Sequence, residues 1–346
     1  MTRLSDTEVE TSSPAFQLPP VTHTVTGAWR RAGFELEFAG LTIEQSARIV
    51  RQTFGGEVEI DSTFATRVRS PVGTFKVEID AILLREKKYE GLLRAIGYDP
   101  DSRDTRWLEE ALLGAAATIV PIEVAAPPIP INELGALEEL RERLRDAGAR
   151  GTSASLLYAF GMHVNPELSD ARDARSILDQ LRAFLLLYPW LRDRVELDLT
   201  RRMSPFVNPF PAEYVRLVLQ PDYPATAERL IDDYLTHNPT RNRALDMLPA
   251  LAYLNEELVK GRADAPHLVQ PRPSLHYRLP NCLIDEPSWT LAREWNTWLA
   301  VERLAQDQSK LARMSREYLK ADGNALRPII DQWPKALGKW VREVEG

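Results

Sequence analysis

The run Phe34-Glu35-Leu36-Glu37-Phe38 constrains the fold of this chain more than any other segment. Successive side chains of an extended strand point to opposite faces. The run therefore puts three large apolar groups on one side and two carboxylates on the other. The carboxylates sit two residues apart, roughly 7 Å along the strand, too far to share one ion easily. That spacing suits two neighbouring cations, or one cation and a substrate amine.

Other segments repeat the arrangement. Phe75, Val77 and Ile79 alternate with Lys76, Glu78 and Asp80. Ile122 and Val124 flank Glu123, Met162 and Val164 alternate with His163 and Asn165, and Leu275, Tyr277 and Leu279 alternate with His276 and Arg278. An antiparallel sheet with helices on one face has a solvated polar face, and that is the plain reading of such a pattern. Solvated faces favour Thr, Lys, Ser and Glu, however. This one collects carboxylates, two imidazoles, an amide and a guanidinium. Carboxylate with imidazole suits divalent metals, and guanidinium suits phosphate or carboxylate.

The remaining pattern mixes helices with antiparallel strand pairs, which predicts an α+β chain rather than a doubly wound parallel sheet. Ile43 to Phe54 reads as a helix opened by the capping box Thr42/Gln45 and stopped by Gly55-Gly56. Thr63–Arg69 and Thr74–Asp80 read as a hairpin across Ser70-Pro71-Val72-Gly73. Strands are expected at Ile119–Ala125, Leu156–Asn165 and Ser274–Leu279, and a helix at Ile131–Ala147, ended by Gly148. Residues 169–188, 223–236, 241–258, 288–320 and 326–344 read as further helices. Trp289, Trp295 and Trp298 fall on a packing face, as does the run from Trp333 to Trp340. Residues 1–22 are expected to be a flexible leader. Residues 23–346 read as one catalytic domain, with a helical elaboration at about 167–265 and C-terminal helices at about 288–344.

Composition narrows the function. With 346 residues, 44% of them apolar and 27% charged, the chain can bury a sizeable core, which excludes disorder for its bulk. A net charge of −7 without a basic stripe argues against a nucleic-acid partner. The single cysteine, Cys282, excludes an internal disulfide and a four-cysteine zinc site, and reads as a small buried residue in a reducing, cytoplasmic setting. No run approaches the roughly 18–20 apolar residues of a membrane span, so no membrane association is expected. Neither a dinucleotide-binding fingerprint nor a phosphate-binding P-loop occurs.

Four segments in order carry a resemblance. Gly33-Phe34-Glu35-Leu36-Glu37 resembles the Gly-x-Glu-x-Glu strand of the glutamine synthetase and glutamate–cysteine ligase superfamily. Ile122-Glu123 before Ala125-Ala126-Pro127-Pro128 is similar to its Glu-Leu-Val-Ser-Pro segment, and Gly161-Met162-His163-Val164-Asn165 to its Gly-x-His-x-Asn strand. His276-Tyr277-Arg278 stands where that superfamily has Glu-x-Arg. The spacing, over about residues 27–300, most resembles the amidoligase group of carboxylate–amine ligases. The resemblance implies a curved, mainly antiparallel sheet forming a funnel, with helices on its outer face. It also implies ATP as co-substrate, with Mg²⁺ or Mn²⁺ along the sheet. An ATP-dependent ligase of this kind phosphorylates a small-molecule or peptide carboxylate and then lets an amine displace phosphate.

Carried over residue by residue, the resemblance makes Glu35, Glu37 and His163 metal ligands, with Glu123 a weaker one. Asn165 stands near the ATP phosphates, and Arg278 stabilises the transferring phosphoryl group. His276 replaces the usual Glu at one metal position, where imidazole favours a softer ion such as Mn²⁺. Asn165 replaces a second His, and Val124-Ala125-Ala126 replaces the usual polar pair after Glu123. Outside the resemblance, Asp80 either holds the amine or caps a turn, and Arg67 contacts substrate or solvent. Asn281, just after the Arg278 strand, stands within reach of the nucleotide. Arg201-Arg202 either grip an anion or flank a helix end, and His23, His237 and His267 read as surface. Two other functions stay open: a metal-dependent hydrolase using the same ligand types, and a non-catalytic binding protein with a decayed site. Homo-oligomerisation is compatible with all three.

Overall fold

The computed structural model describes residues 15–79, 121–152, 160–196, 201, 207–322, 333, 337, 338 and 340. Its centre is a nine-stranded sheet: β1 (Arg31–Phe38), β2 (Glu57–Ser62), β3 (Ala65–Ser70), β4 (Gly73–Ile79), β5 (Ile122–Ala125), β6 (Ile129–Pro130), β7 (Met162–Pro166), β8 (Leu245–Asp246) and β9 (His276–Tyr277). The order across the sheet is β2-β3-β4-β5-β1-β7-β9-β8, with β6 also on β1, and every pairing is antiparallel. Among the described residues the sheet is open, with β2 and β8 as its ends.

The alternating residues predict the buried face correctly. Phe34, Leu36, Phe38, Val68, Phe75, Val77, Val124, Met162, Val164 and Tyr277 are all buried. Helices cover that face: α1 (Ile43–Phe54), α2 (Gly135–Asp146), α3 (Ala174–Arg194) and α8 (Leu291–Gln306). Phe54 of α1 meets Phe75 at 4.6 Å between ring centroids, and Trp298 of α8 meets Tyr277 at 5.0 Å. Trp295 and Trp298 on α8 are buried, as the helical spacing predicts, and Trp289, which precedes the Thr290 cap of that helix, is buried as well. Arg30, just before β1, donates to both oxygens of Glu302 on α8 at 2.7 and 2.9 Å, both side chains buried, and so ties the sheet to its helical layer. No helix among the described residues is long and apolar enough to cross a membrane.

Local chemistry sets several boundaries. The Thr42/Gln45 capping box forms in both directions, at 3.1 and 2.8 Å. Gly73, at φ +133°, closes the β3–β4 turn, where a side chain would also strike Pro127. The expected helix over 169–188 starts at Ala174 because Asp173 caps it, accepting from the backbone N–H of Arg175 and Ser176. The expected helix over 288–320 is two, α8 and α9 (Gln308–Asp322), broken at Asp307, whose carboxylate caps the second. The 223–236 prediction becomes α5 (Ala227–His237), preceded by the short α4 (Ala212–Val218).

Two expectations need correction. Residues 241–258 are not one helix. Leu245-Asp246 pairs with β9, Pro249 opens α6 (Leu248–Leu254), and Asn255 caps α7 (Glu256–Lys260). In the expected leader, residues 1–14 lie outside the described residues, whereas residues 15–18 are held along α8. There Trp295 donates to the Gln17 carbonyl at 2.8 Å and Asn296 to the Ala15 carbonyl at 2.9 Å. Strand β2 was not expected; it is a mostly exposed edge, with Ile60 79% accessible. The strand start at Ile119, the strand stretch 156–159 and most of the 326–344 helix lie outside the described residues. Trp333, which falls within that last stretch, is buried and donates to the Leu186 carbonyl.

Glu294 of α8 is buried among these aromatics and accepts from the Trp289 indole N–H at 3.0 Å. Burial pushes its carboxyl up to about 7, against the opposing pull of Arg293. The folded protein therefore holds this proton more tightly than the unfolded chain. The stability tied to it is present in full below pH 4.5 and is lost as pH rises towards 7. Glu294→Gln should remove that loss, leaving the variant more stable than the parent at pH 8 by on the order of 3 kcal/mol. Urea unfolding of both proteins at pH 5 and pH 8 checks this; an equal pH dependence in the two would overturn it.

Candidate functional site

The opposite face of the sheet collects the polar groups in cross-strand rows. Glu35 on β1 stands opposite Ala125 on β5 and His163 on β7. Glu37 stands opposite Glu123, which faces Glu78 on β4. The Val164–Tyr277 pairing places Asn165 beside His276 and His163 beside Arg278, while Asp246 on β8 stands opposite His276. Opposed side chains on one face lie about 4.5–5.5 Å apart at Cβ. Residues more than 200 positions apart in the chain thus meet in one patch.

Hydrogen bonds lock the patch together. His163 donates from Nδ1 to Glu35 Oε2 at 2.9 Å, and Asn165 donates to Glu35 Oε1 at 2.9 Å. His276 donates from Nδ1 to Asn165 Oδ1 at 2.5 Å. Glu37 Oε2 accepts from the Gly161 N–H at 2.6 Å, and its Oε1 lies 3.5 Å from His163 Nε2. A Cβ at Gly161 would displace the guanidinium of Arg201, which is held on the Arg278 carbonyl.

Burial opposes ionisation of Glu35, but the rings of His276 and His163 and the charge of Arg278 outweigh it. They hold the carboxyl well below the usual carboxylate range. Burial, reinforced by Arg278 and opposed by Glu35, holds the His276 imidazole well below its ordinary value. With its Nδ1 bonded to Asn165, His276 leaves its Nε2 buried and without a partner among the described residues. His163 Nε2 faces a carboxylate oxygen, an approach satisfied by a proton or by a cation between the two. Glu35, His163 and His276 each offer a ligand atom within 4.8 Å of the others. The residues present therefore fit a divalent cation. Two imidazoles among the donors suit an ion that accepts nitrogen ligands, Zn²⁺ or the less demanding Mn²⁺, better than Mg²⁺, which prefers an all-oxygen shell.

Of the residues singled out in the sequence, Glu35, Glu37, His163, Asn165, His276 and Arg278 converge here, and Glu123 joins them through the row containing Glu37. Arg67 does not. It lies three strands away, ion-paired to Asp61 and Glu59 on the β2–β3 hairpin. Asn281 is buried beside the patch, with its amide nitrogen donating to the carbonyls of Val195 and Glu196 at 3.2 and 3.1 Å, so it anchors a loop. Asp80 lies outside the described residues. A cavity of about 580 Å³ on the apolar side of the sheet, near Ala47, Val58 and Ile79, touches none of these groups.

Two residues that sequence reasoning missed, Asp246 and Arg241, belong to the patch. Asp246, fully buried, accepts from the Leu248 N–H at 3.0 Å, from Arg241 Nε at 3.2 Å and from Arg278 Nη2 at 3.5 Å. Both residues fall in a stretch that reads as helix, and only the flanking Pro239 and Pro249 hint at a short strand. Asp246→Ala should cost about 3–5 kcal/mol, because it leaves buried guanidinium charge without its counter-charge. A fall in the urea midpoint at unchanged slope reads this; a midpoint equal to the parent's would contradict the pairing.

In comparisons with known proteins, no curated protein and no solved structure matches the chain. Residues 28–300 match the model of the family described as "putative amidoligase enzyme", a span that holds β1, both histidine strands and every residue of the patch. The chain belongs to this amidoligase family.

Proposed function

We propose that the chain is an ATP-dependent carboxylate–amine ligase that forms an amide through an acyl-phosphate. The observation that carries the reading is the convergence of Glu35, Glu37, His163, His276 and Arg278 on one face of the sheet of an amidoligase-family chain. In this reading Glu35, Glu37, His163 and His276, with Glu123 beside them, hold one or more divalent cations, Mg²⁺ or Mn²⁺. The cation supplies charge neutralisation for the nucleotide phosphates. Arg278 stabilises negative charge on the transferring phosphoryl group, since such transfer depends chiefly on positioning and charge. The oxygen of a small-molecule or peptide carboxylate takes the γ-phosphoryl group and ADP leaves. An amine then attacks the acyl carbon and phosphate leaves. Asn165 orients Glu35 and His276 through its two hydrogen bonds. Asp80 for the amine belongs to the same reading on the sequence alone, and the funnel shape of the sheet on the resemblance; Arg67, paired on the β2–β3 hairpin, and Asn281, held on loop carbonyls, would have to leave those partners to meet the acyl substrate and the nucleotide.

A second reading, a metal-dependent hydrolase, is favoured by one observation: the two-imidazole, one-carboxylate donor set of Glu35, His163 and His276 also suits an ion that activates water.

Thermal unfolding with Mg²⁺ or Mn²⁺, with and without ATP, tests the ligase. A ligand at about 100 times its dissociation constant adds roughly 2.7 kcal/mol of stability. The expected result is an upward shift that needs both metal and ATP and vanishes in Glu37→Ala. The shift should be followed by phosphate release that requires both a carboxylate and an amine. Turnover without ATP and without a new amide would favour the hydrolase. ATP-dependent turnover retained in Glu37→Ala would remove the role given to that residue.

A further inference from the structure

Beside the cation-binding groups, β8 and β9 bring two guanidiniums to one carboxylate. Asp246 is fully buried, and its Oδ2 receives both Arg241 Nε and Arg278 Nη2, while its Oδ1 is taken by the Leu248 N–H. Two guanidiniums thus share the one carboxylate of Asp246. Arg278 is only 6% exposed, and its Nε meets no acceptor among the described residues. Such a buried N–H is costly unless something occupies it. Arg241 differs in being reachable: its side chain is 27% exposed, and among the described residues its guanidinium is held on Asp246 alone. A single arginine would balance Asp246. The second leaves guanidinium N–H donors beyond those that Asp246 takes, partly open on Arg241, beside the row that runs from Glu35 through His163 to Arg278.

We infer that Arg241 and Arg278, positioned by Asp246, form an oxyanion subsite that takes a phosphate or carboxylate group of the ligand, with Arg241 as its open, affinity-determining arm. The planar guanidinium presents paired N–H donors that match either oxyanion. Asp246 acts through the two arginines: it fixes their planes and touches no ligand. The inference deepens the ligase reading by assigning Arg241 a contact, and it rests on that reading for the neighbouring cation.

Calorimetric titration of pyrophosphate, and separately of glutarate, into the full chain in the presence of Mn²⁺ tests it. At least one probe should bind the parent, and Arg241→Gln should weaken that binding about tenfold or more. Arg241→Lys, which keeps the charge but not the fork, should recover part of the loss. Mn²⁺ affinity by electron paramagnetic resonance and the unfolding midpoint without probe should match the parent in Arg241→Lys. Binding of pyrophosphate alone assigns a phosphate to the subsite, and binding of glutarate alone a carboxylate. If Mn²⁺ does not bind the parent while pyrophosphate binding still falls in both variants, the cation reading fails and the subsite stands. Equal probe binding in parent and variants, or no binding of either probe to the parent at millimolar concentration, would overturn the inference.

Discussion

The Glu35 carboxylate, held in the middle of the sheet, is the interaction on which the site depends. A carboxylate withdrawn from water is tolerated only where hydrogen bonds and opposite charge replace hydration. Glu35 receives His163 on one oxygen and Asn165 on the other, and Asn165 in turn receives His276. Those donors come from β7 and β9, so satisfying one charge on β1 fixes the relation of three strands. The chain of bonds also orients the His276 ring, with Nδ1 on Asn165 and Nε2 left without a partner among the described residues. On β8, Asp246 acts in the same way, fixing two guanidiniums as Glu35 fixes two ring systems.

The register of the sheet turns this local chemistry into a site. A shift of one residue on β7 would exchange His163 for Val164 and turn the ligand face into the packing face. The apolar side prevents such a slip: Phe34 lies against Trp295 and Tyr277 against Trp298, so the tryptophan layer of α8 anchors the strands from behind. The buried Arg30–Glu302 pair fixes the same helix to the start of β1. Packing energy on one face thus maintains hydrogen-bond geometry on the other. The side chains that do most to hold the fold therefore differ from those that do the chemistry.

Legibility in the sequence followed the range of the forces involved. The helix at Ile43–Phe54 was readable to the residue because a capping box and a terminal glycine act within four residues. Strand faces were readable because a period of two shows wherever one side is buried. Strand β2 escaped because Val58 and Ile60 are exposed, so its alternation marks no core. Strand β8 escaped because two residues carry no periodicity, and its pairing with β9 spans some thirty positions of chain. Arg67 and Asn281 show the converse. Their residue types suit ligands, but Arg67 found Asp61 on its own hairpin and Asn281 found the carbonyls that end α3.

The sequence by itself determined which residues would face together along each strand, the apolar layer they would share and the chemical class of the polar face, since alternation and side-chain type are properties of the chain alone. Tertiary structure decided which strands lie side by side. It therefore decided that Glu35 meets His163 and His276, that Glu37 faces Glu123, and that Asp246 and Arg241 join Arg278 at the edge of the patch. Strand order and register arise from burial and pairing between segments far apart in the chain, and no local pattern encodes them.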